Sequence, residues 1–238
     1  MHIIGVKTQL FKPLDNLLEF IDCEITRLKS GDIVIITSKI VALAQGRVGS
    51  LADKQMLIEQ EAEQTIDTPW ATLTLTADGW CLNAGVDESN ADNQLILLPH
   101  EPFEVAREIQ QHLMAKFSLS ELGVVITDTK SLPLRAGTMS RALSYSGFKP
   151  LKSYIGKTDL FGRVTRLTES NVADALAASA GLVMGEGNEQ TPLAIISDAP
   201  VEFTDHTTNI KNTSLSLSPE NDIFAKVFTT KPKPKPKK

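Results

Sequence analysis

Cysteine is nearly absent: Cys23 and Cys81 stand in unrelated contexts, with no CxxC spacing. That excludes a disulfide framework and a thiolate zinc site, and leaves two buried thiols as the expectation. The four histidines, His2, His100, His112 and His206, show no paired spacing, and neither cysteine has a His or Cys close by. Zinc chemistry and thiol catalysis therefore lack their parts. No apolar run approaches the roughly 18 residues of a membrane helix. The opening MHIIGVKTQL has no basic segment ahead of a long apolar stretch, so a cytoplasmic protein without membrane attachment is expected. Neither a Walker pattern nor a GxGxxG following a strand occurs, so the familiar nucleotide folds are not indicated.

What is present is ample apolar material, 42% of 238 residues, enough to pack one large domain or two small ones. The formal net charge is −5, but five lysines lie in the closing KPKPKPKK, which leaves −10 on the first 230 residues. An acidic body argues against a nucleic-acid surface. Alternating Lys and Pro favours an extended, solvated segment that cannot pack a core. The expected organisation is one domain over 1–228, with room for two subdomains, and a disordered tail over 229–238.

Apolar residues at three- and four-residue steps, Leu14, Leu17, Leu18, Ile21, Ile25 and Leu28, predict a helix from Pro13 to Gly31. DIVIITS (Asp32 to Ser38) reads as a buried strand delivering Ser38 and Lys39 to its end, with KIVALAQG continuing as a short helix. Residues 52–65 read as helical. ATLTLTADGWCLNAG alternates around Asp78-Gly79 and predicts a hairpin. LILLP (Leu95 to Pro99) is a further strand, Val105 to Phe117 an amphipathic helix, and GVVITDT (Gly123 to Thr129) a buried strand. A helix over VADALAASA starts at Thr168 to Ser170 and ends at Gly181, and LAIIS (Leu193 to Ser197) is the last strand. One clear hairpin and an irregular alternation of strands and helices favour an α+β or mixed α/β fold over a doubly wound sheet.

Three segments at predicted element ends concentrate oxygen ligands: Asp87 with Asn90 in GVDESNADN, Asp128 with Thr129, and MGEGNEQTP (Met184 to Pro192). Carboxylates, an amide and a hydroxyl suit hard cations such as magnesium or manganese, which complete their shells with phosphate oxygens and water. Gly185 and Gly187 flank Glu186, letting backbone N–H groups approach a phosphate while the carboxylate faces a cation. Singly, each segment also reads as an ordinary polar turn.

Taken in order, ITSKIVALAQGRV, NAGVDESNAD with LILLP, GVVITDT with LPLRAG, GKTDLFGR, VADALAASA and LVMGEGNEQTPLAII resemble the coenzyme F-420 gamma-glutamyl ligase family. The resemblance covers about residues 3–200. It is strongest to the bacterial branch named for folate metabolism, through TSKIVAL, LPLRAG and the segment Ser197 to Phe203. It implies an α+β ligase fold forming an intertwined homodimer. The implied reaction uses GTP or ATP and two divalent cations, Mg2+ or Mn2+, with K+ as a further ion, to join L-glutamate to a small-molecule carboxylate. By position it implies Asp87, Asp128, Thr129 and Glu186 as metal ligands. Leu10, Ser38, Lys39, Asn90, Met184, Gly185 and Gly187 are implied as nucleotide contacts, and Asn90 also as a substrate contact.

A carboxylate is a poor electrophile, so it must be activated by phosphoryl transfer, whose charge cations neutralise. The attacking amine must be the free base, and Glu88 is the acid expected to accept its proton. Arg47 and Arg135 either clamp a substrate carboxylate or phosphate in bidentate fashion or form surface ion pairs. The chain departs from the family at Leu43, where a cationic nucleotide contact is usual, at Lys130-Ser131-Leu132 in place of Phe-Gly-Arg, and at Thr138-Met139-Ser140 in place of Gln-Thr-Asp. These changes leave an F-420-0-like or a folate-like acceptor open. They also leave two other readings: a nucleotide- and metal-binding homologue without turnover, and a metal-dependent phosphohydrolase.

Overall fold

The computed structural model describes residues 1–204, 215–217, 221–224 and 226–227. The Lys/Pro tail expected over 229–238 lies outside the described residues.

The chain opens with β1 (His2–Val6) and α1 (Leu17–Glu24). Helix α1 is shorter than the apolar spacing predicts. Leu14 holds φ 66, a conformation no α-helix tolerates, so nucleation waits for Asn16, whose side chain accepts from the N–H groups of Leu18 and Glu19. Ile25 is extended and ends the helix, though Ile21 and Ile25 are both fully buried. Next come β2 (Asp32–Thr37), α2 (Ser38–Ala44), β3 (Val48–Ser50) and α3 (Lys54–Glu61). Ser38, read as the end of the strand, instead begins the helix.

The predicted hairpin is β5 (Thr72–Thr76) with β6 (Gly79–Leu82), preceded by β4 (Gln64–Asp67); Ala77 and Asp78 occupy its two-residue turn. Then follow β7 (Gln94–Ile96), α4 (Pro102–Phe117), β8 (Leu122–Ser131) and β9 (Thr138–Ser146). Short strands β10 (Leu151–Ser153) and β11 (Glu169–Asn171) pair with each other before α5 (Val172–Met184) and β12 (Leu193–Ser197).

Helix α5 runs past Gly181 to Gly185, whose φ of 79 supplies the left-handed stop. Gly181 is inside the helix for packing reasons: a Cβ there would collide with the Ser140 hydroxyl. The thiols also differ from expectation, since Cys23 is exposed and Cys81 only partly covered.

Five strands form the main sheet in the order β1-β12-β2-β8-β9, with only β2 and β8 parallel. The remaining ladders of this sheet are antiparallel, so the architecture is the mixed α+β one expected. Alternate residues of the central strands serve two cores. Val34, Ile36, Val124 and Ile126 pack with Ile21, Ile109 and Leu113 of α1 and α4. Ile33, Ile35, Val125 and Ile196 pack with Ala173, Leu176, Ala177 and Ala180 of α5, whose small side chains bring the helix close to the sheet. No helix among the described residues is long and apolar enough to cross a membrane.

Candidate functional site

Parallel β2 and β8 run in register to Thr37 opposite Thr127, so their carboxyl ends present Ser38 and Asp128 side by side. The Ser38 hydroxyl donates to Asp128 Oδ1 at 2.8 Å. Burial pushes the Asp128 carboxyl above its ordinary range; the Ser38 hydrogen bond opposes this, and the neighbouring Asp87 charge adds to it.

Asp87 belongs to the loop after the hairpin and is tied to β7 by reciprocal backbone bonds with Ile96. Its carboxylate accepts from the Ser89 N–H and hydroxyl, and from Lys39 Nζ at 2.7 Å. Burial raises its pKa, but the hydrogen bonds from Lys39 and Ser89 outweigh burial and hold the carboxyl below the usual range. Lys39 Nζ also donates to the Ser89 carbonyl at 2.5 Å and hydroxyl at 3.1 Å.

Adjacent residues of a strand face opposite ways, so Thr129 turns from Ser38 toward the loop after α5. Thr129 and Ser140 are cross-strand partners in the β8–β9 ribbon. Both donate to Glu186, at 2.8 Å to Oε2 and 3.2 Å to Oε1. That loop is shaped from within: Gly187 N–H donates to Glu189 Oε2 at 2.8 Å, and a Cβ at Gly185 would strike the same carboxylate. Asn90 donates to the Gly187 carbonyl, and the Gln190 amide donates to the Thr8 carbonyl at 3.0 Å. The loop is thereby fastened to both the Asp87 loop and the N-terminal segment.

These elements enclose a cleft of about 690 Å3. Leu10, Ser38, Lys39, Asp87, Asn90, Asp128, Thr129 and Met184 to Gly187 all line it, although they come from five separate stretches of chain. Three expected residues do not line it. Glu88 turns outward to Lys54 at 3.2 Å, and Arg47 pairs with Glu61 at 2.8 Å while donating to the Leu98 carbonyl. Arg135 is exposed on the β8–β9 connection. In this structure Glu88 and Arg47 each face an opposite charge outside the cleft. Ser89, Ser140 and Glu189 were not foreseen. A serine two residues after an aspartate is a turn signal that accounts for Ser89; Ser140 becomes visible only through its pairing with Thr129.

The donor set is all oxygen, with the half-buried Asp128 carboxyl beside Asp87, an arrangement a hard divalent cation would compensate. Among the described residues no three Asp, Glu, His or Cys side chains gather as a metal cluster. A cation would therefore complete its shell from hydroxyls, water or phosphate oxygens, as magnesium and manganese do at phosphoryl-transfer sites. The residues fit that class of ion.

The family model for F420-0:Gamma-glutamyl ligase matches residues 54–198. Coenzyme F420:L-glutamate ligase of Methanosarcina mazei is 36% identical over 236 residues, covering 90% of this chain and 91% of its own. The protein of the same name from Archaeoglobus fulgidus is 30% identical over 79% of this chain and 83% of its own. That from Methanococcus maripaludis strain DSM 14266 is 38% identical over 71% and 67%. With the family model spanning more than half of its length and relatives of this identity covering most of it, the chain belongs to the F420-0:gamma-glutamyl ligase family.

Proposed function

We propose that this protein is a nucleoside-triphosphate-dependent ligase that joins the amine of L-glutamate to a carboxylate of a small-molecule acceptor. The relatives' name makes F420-0 the first acceptor to test, with folates second because of the departures at Lys130 to Leu132 and Thr138 to Ser140. The observation carrying the reading is the convergence of Ser38-Lys39, Asp87 with Asn90, Asp128-Thr129 and the loop 184–191 on one cleft.

Ser38, Lys39, Asn90, Leu10 and the glycines of the loop hold the nucleotide, GTP or ATP. Asp87, Asp128, Thr129 and Glu186 would hold two Mg2+ or Mn2+ ions. When bound, those ions neutralise charge on the transferring phosphoryl group. The acceptor carboxylate attacks the γ-phosphorus; a new P–O bond forms, the bond to the β-phosphate oxygen breaks, and the nucleoside diphosphate leaves. The free amine of glutamate then attacks the acyl carbon of the resulting acyl phosphate. The C–N bond forms, the carbon–oxygen bond to phosphate breaks, inorganic phosphate departs, and the nitrogen gives up its excess proton. Lys39, already within 2.7 Å of Asp87, supplies fixed positive charge beside the phosphates.

Leu43 lines the cleft where the family resemblance implies a cation, and this supports a second reading, a binding homologue without turnover. One experiment separates the readings. The protein is incubated with GTP or ATP, manganese, L-glutamate and either F420-0 or a folate, and products are weighed by mass spectrometry. A product heavier by one glutamyl residue supports the ligase. Nucleotide binding with no product supports the silent homologue, and phosphate release independent of glutamate supports a phosphohydrolase. The homodimer implied by the resemblance is tested by sedimentation, where a fully active monomer overturns it.

A further inference from the structure

A second cavity, of about 160 Å3, adjoins the cleft and shares Asp128 and Thr129 with it. Its own walls include Cys81, Lys130 and Ser131. It lies between the β5–β6 hairpin and the β8–β9 ribbon.

Lys130 makes this more than a crevice. Its side chain is only 12% exposed, and its Nζ donates to the backbone carbonyl of Asp78 at 2.7 Å. The Asp78 Oδ2 atom is farther off, at 3.3 Å, and the same oxygen is in ion contact with Arg141. Two cations thus share one carboxylate oxygen, and the closest partner of Lys130 is an uncharged carbonyl. Asp128, on the wall of the same cavity, adds an opposing charge at longer range, and Asp174 is occupied by the Ala142 N–H and the Asn171 amide. A largely buried ammonium whose ion pair is long and shared with Arg141 is only partly compensated, and a ligand carboxylate would complete it.

Size decides which reactant fits. A site for a drug-sized ligand needs roughly 300 Å3 or more, so this cavity takes a single small metabolite and excludes a nucleotide. We propose that the side cavity is the subsite for L-glutamate, with Lys130 as partner of one of its carboxylates and the amine directed past Asp128 into the cleft. This inference rests on the ligase reading and gives a task to Lys130, the residue standing where the family resemblance implies an aromatic one.

The test is equilibrium dialysis of labelled L-glutamate, with magnesium and a non-hydrolysable GTP analogue present, beside steady-state kinetics. Lys130→Met is expected to weaken glutamate binding about tenfold or more, the scale of a lost charged hydrogen bond, with nucleotide affinity held within about twofold. Lys130→Arg should recover part of the loss. Cys81→Leu fills the cavity without altering charge and should also weaken glutamate, which decides the matter if Lys130→Met does not fold. Wild-type glutamate affinity in both Lys130→Met and Cys81→Leu overturns the subsite, as does an equal loss of nucleotide. A wild-type protein that forms amide while Lys130→Met keeps its KM for glutamate sinks the subsite alone. Lys130-dependent glutamate binding without any amide product keeps the subsite and sinks the ligase reading.

Discussion

Asn90 donates its side-chain amide to the backbone carbonyl of Gly187 at 2.9 Å, joining two loops 97 positions apart. The bond closes one end of the cleft, and Asn90 reaches it from a left-handed backbone, φ 53, which asparagine accepts more readily than most residues. Asn90→Ala should weaken binding of a GTP analogue several-fold. Because the bond is exposed, unfolding free energy should fall by only about 0.5–1 kcal/mol. Calorimetric titration beside chemical denaturation checks both.

Asp87 and Asp128 should differ in their importance to the fold but not to the cation. Either change to Asn should weaken manganese binding by about tenfold or more, read by calorimetry. In metal-free protein, Asp128→Asn removes a half-buried carboxylate that sits beside the Asp87 charge and should leave the midpoint of thermal unfolding unchanged or raised. Asp87→Asn strands Lys39 and should lower it. Unchanged manganese affinity in both variants would remove the metal assignment.

Gly181→Ala tests how helix α5 meets the ribbon. The added methyl lies 2.9 Å from Ser140 Cβ and nearer still to its hydroxyl. Overpacking of this kind costs about 1–3 kcal/mol, partly offset by the roughly 1 kcal/mol that alanine gains over glycine inside a helix. Ser140→Ala in the same chain should return most of the lost stability. It should not restore the hold on Glu186, so manganese binding stays weakened in the double variant.

Asp22 gives a pH signature away from the cleft. It accepts from His112 Nε2 and lies 2.9 Å from Lys116 Nζ, linking α1 to α4. Burial, the largest single influence, raises its pKa, but the bonds from Lys116 and His112 together outweigh it and lower the carboxyl below its usual range. A carboxyl lower in the folded than in the unfolded state adds stability above the unfolded pKa, near 4, and loses it as pH falls through the folded value. Asp22→Asn should therefore cost up to about 1 kcal/mol near neutral pH and nothing in strong acid, so unfolding curves of the two proteins converge as pH falls below 4.

Much of the fold was legible because its strands announce themselves. The runs Asp32 to Thr37, Gly123 to Thr129 and Leu193 to Ser197 are β-branched and continuous because both faces of the sheet are covered. Strand β9 was not legible: TMSRALSYS mixes polar and apolar residues, being the edge strand, and its length is set by pairing with β8. The first helix is shorter than its apolar spacing suggests because that spacing continues through Ile25 and Leu28, which reach the core from outside the helix.

In the cleft, residue type and order along the chain were enough to single out Asp87, Asp128, Thr129 and Glu186, since hard-cation and phosphate chemistry calls for oxygen at strand and helix ends. Spacing alone does not say which neighbours turn inward. Glu88 and Arg47 have the right chemistry and are taken by Lys54 and Glu61, while Ser140 and Glu189 enter through cross-strand register and a glycine-permitted fold of the loop. The sequence by itself determined the continuous apolar strands of the core, the order of the candidate acids and the family. Only the tertiary structure decided which side chains share the cleft and that Lys130 and Arg141 share one carboxylate of Asp78, because both depend on contacts between residues tens of positions apart.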